Sequence, residues 1–539
     1  MINPKLFKRN IEVIMKINQS SIINKSATAL FIGLLGFSTS CTDDFKKMNT
    51  NPTAIIELTN NEYPAVFSRA LAAGSYHPSF QTAQNLFADL YAQYYATTTG
   101  NFQSDRFFMH MGWAAGSHWN PIYTGVVPQL MTVMDNFDAN TPENALANIW
   151  WAFSFSRLTD YYGPVPYFDA GIPARGVKYD SQEAIYDDFF KRVTAAVAVL
   201  EQHKSAKPFA TGDIIYKGDV NKWIKFANTF RLRCALRISK ADPARAKAEA
   251  EAAVKAGILE IGADNAMMVR TAINSGDGNG ISRIAGWGEF RMSATMESIL
   301  KGYNDPRMVE FFQPAFNTGT YEGLRNGLNP AQLALPLNLN DNNSNVGARW
   351  IRNTGAGSGW ENLYAVPASI MHTSEAYFLR AEGALNGWDM NGEAKDLYEQ
   401  GIRLSMEQWG FTGDAVEKYI QGTTPPVAPG DAMNSAPVTT IPVKWGASEA
   451  IQREQIGTQK WLALFPDGFE AWAEYRRSRF PKLYPVVNSV NEDVPAGQVL
   501  RRFPFLDAEK NTNKPAVDAA VSLLNGEDKA STPLWWDKN

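Results

Sequence analysis

The strongest constraint on the fold is a series of amphipathic segments that carry helix-capping residues at their ends. In segment 181–203, apolar residues recur every three to four positions, and Asp180 with Glu183 three residues later forms a capping box in front of it. Segment 221–239 is apolar on two faces, which predicts a central helix. Its remaining side carries three arginines, Arg231, Arg233 and Arg237. The chain is therefore predicted to be mainly α-helical.

Further helical segments come in pairs. Segment 243–256 has Asp242 as its N-cap and Gly257 directly after its end. Residues 374–410 are typical of two helices joined by a short turn. Small residues at Ala381, Ala384, Ala394 and Gly401 would let these two helices approach closely. The pair has the length of a tetratricopeptide unit, and repeated pairs of this kind stack into curved scaffolds.

Residues 262–362 differ from these helical regions. They are rich in glycine and asparagine and lack helical periodicity, apart from a segment near 293–303. A long irregular segment within a domain usually carries a functional loop. A second irregular segment, 422–442, is rich in proline and poor in aromatic residues, which is typical of a surface excursion. We therefore expect a loop-rich insert at about 262–362 and look for functional residues there.

The amino terminus, residues 1–40, has the features of a signal peptide. Basic residues precede an apolar run at 27–40 that is too short to cross a ~30 Å hydrocarbon layer as a helix. Translation from Met15 would give a more ordinary basic region than translation from the first methionine. The run ends at Cys41 in a setting that resembles a bacterial lipobox, although Ser38 stands where leucine is usual. We predict that Cys41 is lipidated; the alternative is an ordinary signal peptide with a fortuitous cysteine.

Composition and motifs exclude several classes of function. The chain carries 51 basic and 55 acidic residues, and its leader is basic, so the mature protein is acidic and we expect no nucleic-acid partner. The two cysteines and five histidines form neither a disulfide framework nor a zinc motif. No nucleophile elbow, phosphate-binding loop or metal-binding helix motif appears, so we expect no enzyme, no cofactor and no metal. A glycosidase-type carboxylate pair stays open, because such a pair assembles only in the fold.

Several segments resemble the SusD/RagB family of outer-membrane lipoproteins, particularly its SusD-like branch. The resemblance spans the mature chain and rests on residues 41–54, 158–167, 213–239, 304–308, 451–481 and 533–539. These include CTDDFKKMNTNPTA at the start, NDPRM in the middle and PLWWDKN at the end. Most matching residues are expected to be structural, including Trp461, Trp472, Arg476 and Arg477. Trp119 and Tyr123 are also expected to belong to the core.

The resemblance implies a SusD-like fold over residues 41–539, with tetratricopeptide-like helix pairs packed against an irregular, loop-rich half. It implies a lipoprotein of the outer membrane that faces the cell exterior and binds a nutrient, most often a glycan or oligosaccharide. The ligand would be delivered to a SusC-like TonB-dependent transporter. Alternatives are a peptide-binding importer lid of the same architecture, a helical-repeat scaffold for protein assembly and a surface glycoside hydrolase.

Tryptophans in irregular segments are the best candidates for contacts with a sugar, because flat rings stack on the C–H faces of pyranoses while nearby polar groups bind the hydroxyls. A ring on a helix stripe is normally buried, whereas one in a glycine-flanked loop can stay exposed. The candidate ring residues are Trp287, Trp360, Trp350 and Trp113, and the candidate polar residues are Arg283, Glu289, Arg352 and Asn362. The alternative is that these tryptophans only pin a long loop to the helical scaffold.

Overall fold

The long helices of the computed structural model pack in consecutive pairs, as amphipathic helices joined by short connections do. The structure describes residues 58–172, 176–273, 276–354 and 360–539. The chain divides after Thr59, and the unit Asn60–Asn539 holds every element described below. The predicted signal peptide, Met15 and Cys41 lie outside the described residues.

In chain order, the α-helices are α1 (Tyr63–Gly74), α2 (Asp89–Tyr91), α3 (Met111–Ala114), α4 (Val127–Asn136), α5 (Pro142–Tyr162), α6 (Gln182–Glu201), α7 (Val220–Arg237), α8 (Pro243–Ala256), α9 (Gly280–Ala285), α10 (Ala294–Gly302), α11 (Met308–Phe311), α12 (Pro330–Leu333), α13 (Thr373–Leu385), α14 (Ala394–Gln408), α15 (Asp414–Ile420), α16 (Glu449–Leu464), α17 (Gly468–Ser478), α18 (Asp507–Thr512) and α19 (Lys514–Val521). Wider π-helical turns occupy Gln81–Ala88, Ala115–Trp119 and Pro121–Val126. Within the described ranges, no helix is both long and apolar enough to cross a membrane.

Four helix pairs form the helical scaffold: α5 with α6, α7 with α8, α13 with α14, and α16 with α17. Helix α7 contacts α5, α6, α8 and α13, so it is the central helix that the two-faced apolar pattern predicts. Gly401 on α14 permits close approach, since a Cβ there would lie 2.9 Å from the ring of Phe378 on α13. The mainly α-helical fold class is confirmed; the tetratricopeptide likeness of the pairs stays a prediction.

The start of α6 differs by one residue from the predicted capping box. Ser181, not Asp180, is the N-cap, and its hydroxyl accepts a hydrogen bond from the Ala184 amide at 3.2 Å. The Asp180 carboxylate instead accepts hydrogen bonds from the backbone amides of Tyr167 and Phe168, at 3.1 and 2.9 Å. Asp180 also pairs through its backbone with Val165, which keeps it in the connection before the helix.

Two of the three arginines on the polar side of α7, Arg233 and Arg237, are buried and paired with acids from other helices. Arg233 donates two hydrogen bonds to Glu375 of α13, at 2.6 and 2.7 Å, and Arg237 pairs with Glu470 of α17 at 2.6 Å. Buried charge is tolerated only when it is paired and hydrogen-bonded in this way. The structural role predicted for the C-terminal aromatic and basic residues is also confirmed, because Trp461, Trp472, Arg476 and Arg477 are all buried.

Two short antiparallel ribbons join the irregular residues 262–362 to the rest of the unit, and a third ribbon lies within them. The strands are β1 (Tyr95–Thr97), β2 (Ala266–Met268), β3 (Phe290–Met292), β4 (Ile351–Asn353), β5 (Trp360–Asn362) and β6 (Ala368–Met371). They pair as β1 with β3, β2 with β6 and β4 with β5. Helix α10 is the helix predicted near 293–303, and it begins at the N-cap Ser293.

Candidate functional site

The ribbon of β1 and β3 brings together two segments that are far apart in the sequence. Tyr95 lies opposite Met292, and Thr97 lies opposite Phe290. Beyond the ribbon, the Thr98 amide donates to the Glu289 carbonyl at 2.9 Å, and the Thr98 hydroxyl donates to the Gly288 carbonyl at 2.9 Å. The segment that follows β1 is therefore held beside the turn that precedes β3.

We call the aromatic side chains Phe102, Phe108, His110, Trp113 and Trp287 of these two segments the aromatic surface; ring contacts link the first four, and Trp287 lies on the turn that Thr98 contacts. The Phe102 ring stacks on the buried ring of Phe290, with centroids 5.7 Å apart, and its other neighbour is Trp113, edge-on at 6.3 Å. The ring of His110 stacks on Trp113 at 4.0 Å, and Phe108 meets His110 edge-on at 4.7 Å. These contacts arrange the rings without covering them.

Trp287 is 48 % exposed and Trp113 is 38 % exposed, so both keep a large part of their indole surface in solvent. Trp287 follows the end of α9, and its amide donates to the Ile284 carbonyl at 3.0 Å. The next residue, Gly288, has a φ of +70°, in the left-handed region that side chains disfavour. The Asn340 side-chain amide donates to the Gly288 carbonyl and fixes this turn. Two of the predicted ring candidates are therefore exposed, and hydrogen bonds hold the turn that carries Trp287.

The segment before Asn340 adds exposed apolar side chains near this turn. Leu335, Leu337 and Leu339 are all exposed. Arg291 of β3 donates to the Asn340 carbonyl at 3.1 Å, which ties the segment to the ribbon. Exposed apolar side chains grouped around aromatic rings are typical of interaction surfaces.

The polar candidates nearest Trp287 are Arg283 and Glu289, and both are half-buried. The Arg283 guanidinium donates to the Gln81 side chain at 3.0 Å and to the Pro78 carbonyl at 3.4 Å. The Glu289 carboxylate accepts no hydrogen bond within the described ranges, and burial raises its pKa. Burial likewise lowers the pKa of His110. Glu289 is thus an acceptor that remains free for a ligand hydroxyl.

The β4–β5 ribbon separates two of the predicted residues onto opposite faces. Trp360 lies opposite Asn353, and Arg352 lies opposite Glu361, so Trp360 and Arg352 point to different sides of the ribbon. Arg352 is exposed and lies 3.9 Å from Glu361. The register of the ribbon therefore directs Arg352 away from the half-buried Trp360, and its role as a ligand contact stays a prediction.

Asn362 is half-buried and serves the fold. Its amide donates to the Ser282 carbonyl and packs over Gly286, which links β5 to the start of the Trp287 turn. This link uses one of the two N–H groups of the amide, so Asn362 positions the turn, and its role as a ligand contact stays a prediction. Within the described residues, no ring contact joins Trp360 to Trp287.

Trp350 is buried, with 3 % of its surface exposed. Its ring lies 5.9 Å from Trp409 and 6.0 Å from Phe465, both from the helical scaffold. This burial supports the alternative of an anchor that pins the loop, and the role of Trp350 as a ligand contact stays an untested prediction. Sequence context did not reveal this, because the rings that cover Trp350 lie far along the chain.

Three members of the aromatic surface were not identified from the sequence: Phe102, Phe108 and His110. The available signal was the stretch 101–113, which holds aromatic residues without helical or strand periodicity. The described part of the chain holds no group of three His, Cys, Asp or Glu side chains placed to bind a metal ion. Flat rings beside a few hydrogen-bonding groups can bind a ligand that has both apolar faces and hydroxyls.

Comparison with solved structures finds close relatives of this fold. A chitin-binding SusD homologue from Flavobacterium johnsoniae is 34 % identical, with a TM-score of 0.81, and the match covers 89 % of this chain and 99 % of that one. A SusD homologue from Bacteroides uniformis is 32 % identical, with a TM-score of 0.76 and coverage of 88 % and 100 %. A protein described as chitin-binding is 26 % identical, with a TM-score of 0.72 and coverage of 88 % and 100 %.

No curated protein matches the chain. The family model described as SusD-like, for the SusD and RagB outer membrane lipoproteins, matches residues 43–537. This match spans nearly all of the helical scaffold and the loop-rich residues, in agreement with the structural relatives. The chain therefore belongs to the SusD-like family of outer membrane lipoproteins.

Proposed function

We propose that the protein binds a glycan on the outside of the cell and passes it to a SusC-like TonB-dependent transporter without cleaving it. The observation that carries this proposal is the aromatic surface, on which Trp113 and Trp287 are exposed in segments that flank the β1–β3 ribbon. Oligosaccharides of β-linked N-acetylglucosamine are the leading ligand class, since the relative from F. johnsoniae is chitin-binding.

The chemistry of this surface suits such a ligand. Each pyranose has an apolar C–H face that gains free energy when it leaves water against a flat ring. The free Glu289 carboxylate, with its pKa raised by burial, can accept hydrogen bonds from hydroxyl or N-acetyl N–H groups. Trp360, half-buried on β5, is a secondary contact for the glycan.

Isothermal titration with N-acetylglucosamine oligosaccharides of two to six units tests the ligand. Trp287→Ala and Trp113→Ala should each weaken binding on the order of tenfold, because a stacked ring buries a large apolar area. Trp388→Ala is the matched control, because Trp388 is half-buried in the turn between α13 and α14 and should leave affinity unchanged. Equal affinity for all variants, or binding of peptides instead of glycans, would contradict the proposal.

Attachment to the membrane rests on Cys41, which we propose is lipidated after removal of residues 1–40. Two or more acyl chains give stable anchoring, whereas a single chain is marginal. Cys41→Ser should release the protein from the membrane fraction in detergent-free fractionation. A Cys41→Ser protein that stays in that fraction would disprove this anchor.

The proposed partner is a transporter that this protein covers. A stable complex of this kind should bury well over ~1,000 Å². Affinity purification of a tagged copy in mild detergent should bring down a transporter of the SusC type. Recovery of the protein alone, under conditions that preserve other membrane complexes, would argue against delivery by direct contact.

A further inference from the structure

A second concave site lies apart from the aromatic surface, between the helical turn Pro121–Val126 and the helices α18 and α19. Its cavity volume is about 830 Å³, within the range of about 300–1,000 Å³ that small-molecule sites occupy. The lining includes Trp119, Tyr123, Lys178, Glu509, Asn513 and Ala516. Neither the comparisons nor the proposed function assigns a role to this cavity.

The floor of the cavity is aromatic and rigid. Trp119 is 6 % exposed and packs edge-on against Tyr162, with centroids 5.2 Å apart. Tyr123 lies 5.0 Å from Trp119 and is half-buried, so it presents the more open ring. The Tyr123 hydroxyl donates to the Pro166 carbonyl at 2.7 Å, which fixes the ring. Trp119 is a core residue, as its helical spacing predicts, but it also closes one wall of a cavity.

The polar groups around this floor mainly offer hydrogen-bond acceptors to a ligand, because the charge of Lys178 is already paired. The Lys178 ammonium lies 3.6 Å from Asp180 and 3.8 Å from Asp169, so its charge is already balanced. Glu509 accepts hydrogen bonds from the Tyr179 hydroxyl at 3.0 Å and from the Asn513 amide at 3.3 Å.

Asn513 is the most informative of these groups. It is buried, and its amide also donates to the Val177 carbonyl at 2.8 Å. Within the described ranges, its side-chain oxygen Oδ1 accepts no hydrogen bond. A ligand that satisfies this oxygen must bring donors, and a ligand that covers Tyr123 must bring an apolar face. A pyranose provides both without a net charge.

We propose that this cavity is a second, independent sugar-binding site for one or two pyranose units. The proposal rests on the proposed function for the class of ligand, but it uses a separate set of residues. Helix α18 separates the two sites: Glu509 and Thr512 line this cavity, whereas Asp507 and Lys510 line a groove of about 380 Å³ beside Phe108 of the aromatic surface.

Titration with di-N-acetylchitobiose, a ligand short enough to occupy one site at a time, tests this proposal. The wild-type protein should bind two molecules. Ala516→Trp fills the cavity from α19 and should reduce this number to one, and Thr512→Trp, at an exposed position on α18, should do the same. Ala519→Trp is the matched control, since Ala519 is exposed on the same helix as Ala516 and lies outside the cavity lining.

The double variant Trp113→Ala with Trp287→Ala separates the two sites. It should lose the site on the aromatic surface and keep one bound chitobiose, and that remaining site should disappear when Ala516→Trp is added. One bound molecule in the wild type, lost in the double variant and unaffected by Ala516→Trp and Thr512→Trp, would overturn the second site and leave the proposed function standing. Absence of glycan binding in every protein would overturn both. Circular dichroism melting of each variant excludes unfolding as the cause.

Discussion

In the helical scaffold, Trp150, Trp223, Trp461 and Trp472 are fully buried between helices, whereas Trp287 at the aromatic surface holds about half of its area in solvent. The difference lies in the backbone that carries each ring. A ring on a helix shares a face with residues three and four positions away, so it packs inward with them. A ring in a glycine-flanked turn next to a short ribbon has no such neighbours. The same residue type therefore stabilises one region and is available for binding in the other.

Buried carboxylates also differ between the two regions, in their ion pairs and in their pKa values. Burial alone would raise the pKa of Glu474 in α17, but Arg477 and Lys460 beside it lower that pKa. Asp105 lies at the base of the aromatic surface and makes no ion pair within the described ranges, so burial raises its pKa to about 7. Its carboxylate accepts a hydrogen bond from the Thr97 amide of β1 at 3.2 Å. Ion pairs thus keep Glu474 ionised in the scaffold, whereas Asp105 is a buried acid without an ion pair.

The largest expected contrast is between two tryptophans. Trp472→Ala should lower the free energy of unfolding by about 3–5 kcal/mol, since it leaves a cavity in the scaffold, where Trp472 packs 5.1 Å from Tyr91 and under Arg476. Trp287→Ala should change stability by no more than about 0.5 kcal/mol, as exposed positions do. Urea denaturation of the two variants measures both values. Early unfolding of Trp287→Ala would mean that this ring is an anchor after all.

A buried ion pair of the irregular residues, where they contact the scaffold, offers a second contrast of similar size. Arg307 donates to Asp305 at 2.6 Å, and both side chains are fully buried; it also donates to Ser405, Tyr419 and Gln459. Arg307→Ala should cost about 3–5 kcal/mol because it leaves Asp305 as an unpaired buried charge. Arg403→Ala is the control, because its pair with Glu417 is partly exposed and should contribute less than about 1 kcal/mol. Equal effects of the two changes would contradict this account of the pair.

A further effect, on the pH dependence of the free energy of unfolding, is expected from Asp105. The pKa of Asp105 is about 7 in the folded protein, against about 3.9 for an unfolded aspartate. Between these values the unfolded state ionises first, so Asp105 makes the protein less stable as pH rises from about 4 to 7, with no further change above. Asp105→Asn should flatten this part of the stability profile, measured by urea denaturation at several pH values. An unchanged slope would show that Asp105 is already ionised at low pH.

The smallest effect is expected for Arg352→Ala. Its side chain is exposed, lies on the opposite face of the β4–β5 ribbon from Trp360, and makes a distant pair with Glu361. The free energy of unfolding should stay within about 0.5 kcal/mol of the wild-type value. The glycan affinity should stay within about twofold of the wild-type affinity. A clear loss of affinity would mean that the binding site extends to the outer face of this ribbon.

The parts of the fold that depend on local sequence could be predicted. Helix α7 is such a case, since its apolar faces lie within one segment and its position at the centre follows from having two of them. The N-cap of α6 was missed by one residue, because Asp180 and Ser181 can both cap and only the bridge from Asp180 to Val165 decides between them.

The site could be predicted only in part, because its geometry depends on pairings between distant segments. The exposure of Trp287 follows from its glycine neighbours, which the sequence displays. The stacking of Phe102 on Phe290 requires the β1–β3 ribbon, whose strands are too short to give an alternating pattern. The burial of Trp350 requires Trp409 and Phe465 from the scaffold. The direction of Arg352 depends on a register that a shift of one residue would reverse.

The β1–β3 ribbon has a consequence for how such a protein can diversify. Backbone hydrogen bonds hold the segments that carry Trp287 and Phe102, including those from Thr98 to Gly288 and Glu289. These bonds do not depend on which side chains stand at the exposed positions. Rings there can be exchanged for other residues while the frame stays intact, so new ligand preferences can evolve, or be engineered, by substitution at a few outward positions without redesign of the scaffold.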